Sequence, residues 1–190
     1  MKKLRLVLTG NPGVGKHTAA RIIAKRLGSE IIDINKAAID GHAISQKTHR
    51  GLDVNVVKLR SLLARMLKSK NNFIVVGHLA PYVLKSAGID FAAVLRRSPY
   101  ELEMTLQKRG YDVAKVRENV SSEILGVSFY DAMKTFGKRK VVEFDTTGKT
   151  PAETADEIVS ALDHRTPRRK TVDWLMLVSE RGDIQRFFQY

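Results

Sequence analysis

The sequence of 190 residues contains no cysteine, which excludes a disulfide-stapled scaffold, a thiolate nucleophile and a cysteine-ligated metal site. Long apolar runs are missing too. No uncharged stretch approaches the roughly 18 residues that a membrane span requires. The apolar start, Leu4 to Thr9, is interrupted by Arg5 and ended by Gly10-Asn11-Pro12-Gly13, too early for a secretory signal. The expectation is a soluble cytoplasmic protein. Acidic residues are scarce: 20 Asp and Glu face 33 Lys and Arg, for a net charge of +13. Such a surface draws polyanions, yet charge alone identifies no partner. Repeats and low-complexity tracts are absent. A hydrophobic content of 43% is enough to close a sizeable core over one compact unit of this length.

Along the chain, short apolar runs alternate with segments of helical period. Leu4 to Thr9, Glu30 to Ile34, Phe73 to Val76, Phe91 to Leu95 and Lys140 to Phe144 read as strands. Helices are expected at Thr18 to Leu27, around Val56 to Met66, briefly from Pro81 to Ser86, from Ser98 to Lys108, at Ala114 to Leu125, at Ser128 to Phe136 and from Thr150 to Leu162. The polar stretch Asn35 to Gly51 has no strong period. This order implies an α/β fold of three layers, a parallel five-stranded sheet covered by helices on both faces. Residues 1–163 read as one domain and 164–190 as a linker and tail, the linker basic through Arg165, Arg168, Arg169 and Lys170.

The chemistry is concentrated in Gly10-Asn11-Pro12-Gly13-Val14-Gly15-Lys16, a G-x-x-x-x-G-K run placed after a strand and before a helix. Glycines let the main chain curl so that N–H groups face inward, and the helix N-terminus adds positive potential for phosphate oxygens. Lys16 is expected to reach the β- and γ-phosphates of a nucleotide. Asn11, Gly13, Val14, Gly15, His17 and Thr18 complete the expected contacts. The common form of the motif places a Ser or Thr hydroxyl on Mg²⁺ where this sequence has His17. Imidazole is a poor partner for that hard cation, so Mg²⁺ is expected on phosphates and water, with Thr18 bonding a phosphate.

With these residues in view, the chain resembles the adenylate kinase branch of the P-loop kinases, and more narrowly the small atypical adenylate kinases, isoenzyme six in the vertebrate series. Further segments carry the likeness: Gly77-His78-Leu79, Arg109-Gly110-Tyr111, Glu118-Asn119-Val120 with Glu123-Ile124, Asp145 to Pro151, and Val172-Asp173-Trp174. The resemblance implies the P-loop NTPase fold with a monophosphate-binding region at 30–55 and a lid at 108–118. It implies ATP with Mg²⁺, AMP or another nucleoside monophosphate as acceptor, and ATPase activity. It also implies a role in maturation of the small ribosomal subunit, with a platform ribosomal protein and rRNA as partners.

Carried over, the resemblance makes Arg109 a lid residue on ATP and puts Lys149 against its adenine or ribose. His78 is expected to position a water or a phosphate. Family members often have a carboxylate two residues before this histidine, where Val76 stands here, so the metal shell is expected to differ. The acceptor region offers Asp33 as an organiser or a helix cap, and Lys36, Lys47, His49 and Arg50 as phosphate cations, without a choice among the cations. Arg96 and Arg97 follow a strand at the ligand-facing edge, where one is open to phosphate and the other to a carboxylate. Trp174 is either a stacking surface for RNA or part of the core.

Overall fold

The computed structural model describes residues 4–48, 51–163 and 171–188. In chain order it forms β1 (Leu4–Thr9), α1 (Lys16–Leu27), β2 (Glu30–Asp33), α2 (Ile34–Asp40), β3 (Ile44–Thr48), β4 (Gly51–Val54), α3 (Val56–Leu67), β5 (Asn72–Val76) and α4 (Ala80–Val83). There follow β6 (Phe91–Arg96), α5 (Pro99–Lys108), α6 (Val113–Ile124), α7 (Val127–Phe136), β7 (Val141–Asp145), α8 (Pro151–Asp163), α9 (Trp174–Glu180) and α10 (Ile184–Phe188). Five strands make the main sheet in the order β2-β5-β1-β6-β7, all parallel. The expected three-layer architecture is present.

Alternation along the central strands explains why both faces are covered. Leu6 and Leu8 of β1, Ile74 and Val76 of β5, and Ala93 and Leu95 of β6 point into one core with α1, α5, α6 and α8. Val7, Phe73, Val75, Ala92 and Val94 point into the other, with α2, α3, α4 and α7. Because β1 lies between β5 and β6, its carboxyl end opens where the chain winds off to either side, the usual ligand crevice of such sheets.

Two regions depart from the expectation. The stretch without a period contains α2, capped by the Asp33 carboxylate on the N–H groups of Asn35 and Lys36, and then β3 and β4, which pair antiparallel. The segment read as a tail instead forms α9 and α10, and Trp174, Val178 and Phe187 are buried in the first core. That packing removes Trp174 from consideration as a stacking surface. The linker cations Arg165, Arg168, Arg169 and Lys170 lie outside the described residues. Among the described residues no helix is long and apolar enough to cross a membrane.

Candidate active site

The loop after β1 is shaped by glycine where nothing else fits. Gly10 has φ +134°, and a Cβ there would stand 2.4 Å from the main-chain oxygen of Leu95 in β6. Gly15, at φ +92°, leads into α1 with no side-chain cap, and the first turn of that helix holds no acidic residue. Its open N–H groups therefore face the cleft with their positive potential unneutralised. Lys16, the first helical residue, is only 5% exposed, and its Nζ donates to the main-chain oxygen of Asn11 at 3.1 Å. Burial, and then the neighbouring Arg109 charge, pushes its pKa down to about 8. An ammonium held this way gains by meeting an anion.

Around the loop lies a cleft of about 650 Å³. Asn11, Gly13, Gly15, Lys16, His17 and Thr18 form its wall on the loop side. Arg109 at the end of α5 closes it from the lid side, with Tyr111 and three residues of α6, Lys115, Glu118 and Asn119. Asn35, Asp53 and His78 line the remaining side. The Lys115 ammonium sits over the Tyr111 ring, 5.0 Å from its centre.

His17 Nε2 lies 3.1 Å from Asp33 Oδ2, which ties the loop-side wall to the cap of α2. Burial and the Lys16 charge lower the His17 pKa, against the pull of Asp33. His78 keeps an exposed edge, yet the partial burial of its ring in the cleft and then the charges of Lys16, His17 and Lys115 lower its pKa to about 4. It is therefore neutral near pH 7 and can offer one donor and one acceptor, not a positive charge.

Most of the expected residues meet in this cleft, and several do not. The Val14 side chain is fully buried in the core, leaving its main chain to the loop, where its oxygen accepts from Thr146 Oγ1 at 3.3 Å. Lys36 is exposed on α2 and does not line the cleft, whereas its neighbour Asn35 does. Arg50 and His49, with the side chain of Lys47, lie outside the described residues. Lys149 also stands off the lining, its Nζ 2.7 Å from Glu157 Oε1. Neither arginine at the end of β6 turns into the cleft: Arg97 pairs with Glu101 at 3.0 Å, and Arg96, the last residue of the strand, is buried between Glu123 and Glu143.

The described residues hold no cluster of three metal-ligating side chains. Thr18, Asp53 and Glu118 put oxygens on the lining, with Asp33 beside it through His17, and this set suits a Mg²⁺ held mainly by phosphate and water. Sequence reasoning missed one participant, Glu123, which is fully buried and accepts from the Asn11 side chain at 2.6 Å. The signal was available. Val116, Val120, Glu123 and Ile124 share the buried face of α6, so a carboxylate stands on an apolar stripe and needs partners.

An AAA domain family profile matches residues 6–126 of the chain. A "Putative adenylate kinase" of Thermococcus kodakarensis is 35% identical over 92% of this chain and 95% of its own length. A protein of the same description from Methanocaldococcus jannaschii is 33% identical over 90% of this chain and 93% of its own. Among solved structures, shikimate kinase from Bacteroides thetaiotaomicron superposes with a TM-score of 0.60 at 16% identity, covering 85% of this chain and 99% of that one. A gluconokinase from Sinorhizobium meliloti gives 0.57 at 16% identity, covering 85% and 93%. At such identity the likeness to solved structures speaks for the fold alone.

Proposed function

We propose, from the premise that the chain belongs to the P-loop kinase family of these archaeal relatives, that it transfers the γ-phosphoryl group of ATP to a nucleoside monophosphate, chiefly AMP. At the coarser level the chain is an adenylate kinase-like nucleotide kinase. One observation carries the finer reading: the glycine loop, Lys16 and Arg109 share a single cleft with a second polar wall of Asn35, Asp53 and His78, leaving room for an acceptor opposite the donor.

The residues divide the work by charge. Main-chain N–H groups from Gly13 to Thr18 hold the β-phosphate, and Lys16 exchanges the Asn11 carbonyl for phosphate oxygens. An oxygen of the acceptor phosphate attacks the γ-phosphorus in line as the bond to the β-phosphate oxygen breaks. Negative charge moves outward on the transferred group, where Arg109 neutralises it. Gly110, at φ +73°, lets the turn that bears Arg109 close over the site and exclude water. Asp33 and Lys36, with Arg50, serve the acceptor side, and neutral His78 orients a phosphate or a water. The main chain beside Lys149 meets the adenine. Thr18 and Asp33 would help to hold Mg²⁺, which when bound would supply positive charge to screen the phosphates. No covalent nucleophile is needed, since positioning and electrostatics suffice.

A second reading, closer to the isoenzyme-six resemblance, is an ATPase whose hydrolysis switches its hold on a small-subunit ribosomal protein and rRNA. The net charge of +13 favours it. One assay separates the two readings. ADP formation from ATP is followed with AMP, the ribosomal protein or RNA added in turn. Acceleration by AMP, abolished in Lys16→Ala, supports the kinase. Indifference to AMP with acceleration by the ribosomal components supports the switch.

A further inference from the structure

The phosphate loop is held from behind as well as by its glycines. The Asn11 side chain turns back into the protein, where Nδ2 donates to Glu123 Oε2 at 2.6 Å and Oδ1 accepts from the hydroxyls of Ser122 and Ser128 at 3.3 Å each. The other oxygen of Glu123, Oε1, accepts from Arg96 Nε at 2.7 Å, from the Arg97 main-chain N–H at 3.1 Å and from the Trp174 indole N–H at 3.1 Å. An ionised carboxylate offers about four acceptor positions. Here Oε1 takes three donors, from β6, from the turn after β6 and from the C-terminal segment, and Oε2 takes one, from the loop.

One cation serves two buried carboxylates here. Arg96, 2% exposed, bonds both Glu123 and Glu143, and Glu143 Oε2 also accepts from the Val172 N–H at 3.4 Å. Neutral donors must therefore satisfy what a single guanidinium cannot, and a buried carboxylate deprived of one donor is costly. Two of the neutral donors, Val172 and Trp174, come from the segment after the linker. Asn11 is where this network meets the site, because its main-chain oxygen carries Lys16 while its side chain carries Glu123. When phosphate oxygens draw Lys16 off the Asn11 carbonyl, the change at Asn11 passes through its side chain to Glu123 and so to Trp174.

We propose that Glu123 is a positioning residue for the phosphate loop and that the Trp174 indole N–H is one of the donors that hold its carboxylate, so that the docked segment 171–188 sets the grip on ATP. The inference rests on the reading of the loop as the ATP site.

Trp174 is the only tryptophan of the chain, so its emission reports the surroundings of this one ring. The wild-type protein is titrated with a non-hydrolysable ATP analogue while occupancy is measured separately by equilibrium dialysis. Emission is expected to change in step with occupancy, and to be unresponsive in Asn11→Ala at concentrations that saturate that variant. Trp174→Phe, which keeps a packed ring and removes the donor, is expected to raise KM for ATP about three- to tenfold, with much smaller effects on kcat and on KM for AMP. Emission unmoved at full occupancy, a response retained in Asn11→Ala, or a Trp174→Phe enzyme that melts earlier with its KM for ATP intact would each overturn the proposal. No analogue retained in dialysis would overturn the reading of the loop itself, and the proposal with it.

Discussion

On the donor wall of the cleft the groups that bear on phosphate are buried and tied: Lys16 and Asn11 are 5% and 7% exposed, and Glu123 behind them is wholly covered. On the acceptor wall Asn35, Asp53 and His78 are exposed, and α2 is fastened at its start by the Asp33 cap. The difference teaches where preorganisation is needed. Charge that develops on a transferred phosphoryl group is best met by dipoles and cations already in place. An acceptor that must enter, turn and leave is better served by side chains in contact with water.

The contrast is broken most severely at Lys16. Lys16→Ala is expected to lower kcat/KM by on the order of 10³-fold. The melting temperature of the free protein is expected not to fall, since burial already disfavours this ammonium; steady-state kinetics and calorimetry on the same preparation check both parts.

Next comes acid. The His78 pKa falls from an ordinary 6.5 to about 4 on folding, so between those values the unfolded chain binds the proton more readily. Stability from this residue is complete above pH 6.5 and is lost as pH falls toward 4, by less than the whole shift implies because solvent screens an exposed imidazole. His17, shifted in the same direction, adds to the loss. Denaturant melts across this range should become shallower in their pH dependence in His78→Asn.

A smaller effect belongs to the acceptor wall. Asp33→Ala removes the cap of α2 and the partner of His17, which is expected to cost about 1 kcal/mol of stability. KM for AMP should rise more than KM for ATP, and an equal rise in both would erase the distinction between the walls. Smallest is Lys149→Ala. Its ammonium is engaged with Glu157 at the surface, so KM for ATP should shift less than about threefold.

The donor wall was also the more legible in the sequence, for a physical reason. A phosphate loop is local: glycines, lysine, strand and helix stand next to one another in the chain, and the alternation of Leu6, Val7 and Leu8 declares a strand buried on both sides. The network behind it is not local. Glu123 finds Arg96 across 27 residues and Asn11 across 112, and no spacing rule links such positions. The ambiguity between Arg96 and Arg97 was settled by Glu123 and Glu143, whose carboxylates turn the first arginine inward, while Glu101 one helical turn on takes the second. On the acceptor wall, Ile44, Ser45 and Gln46 of β3 and Asp53 and Val54 of β4 are half-buried or exposed, unlike the residues of the central strands, and pairing identifies the two strands. The helices α9 and α10, of 7 and 5 residues, are too short for a clear period and owe their form to burial of Trp174, Val178 and Phe187.

The most direct test of two nucleotides meeting in one cleft is calorimetric titration with a diadenosine pentaphosphate, long enough to span donor and acceptor positions at once. One equivalent should bind and exclude both ATP and AMP, and Lys16→Ala should lose most of that affinity. Displacement of ATP with AMP still bound would place the acceptor elsewhere and contradict the account.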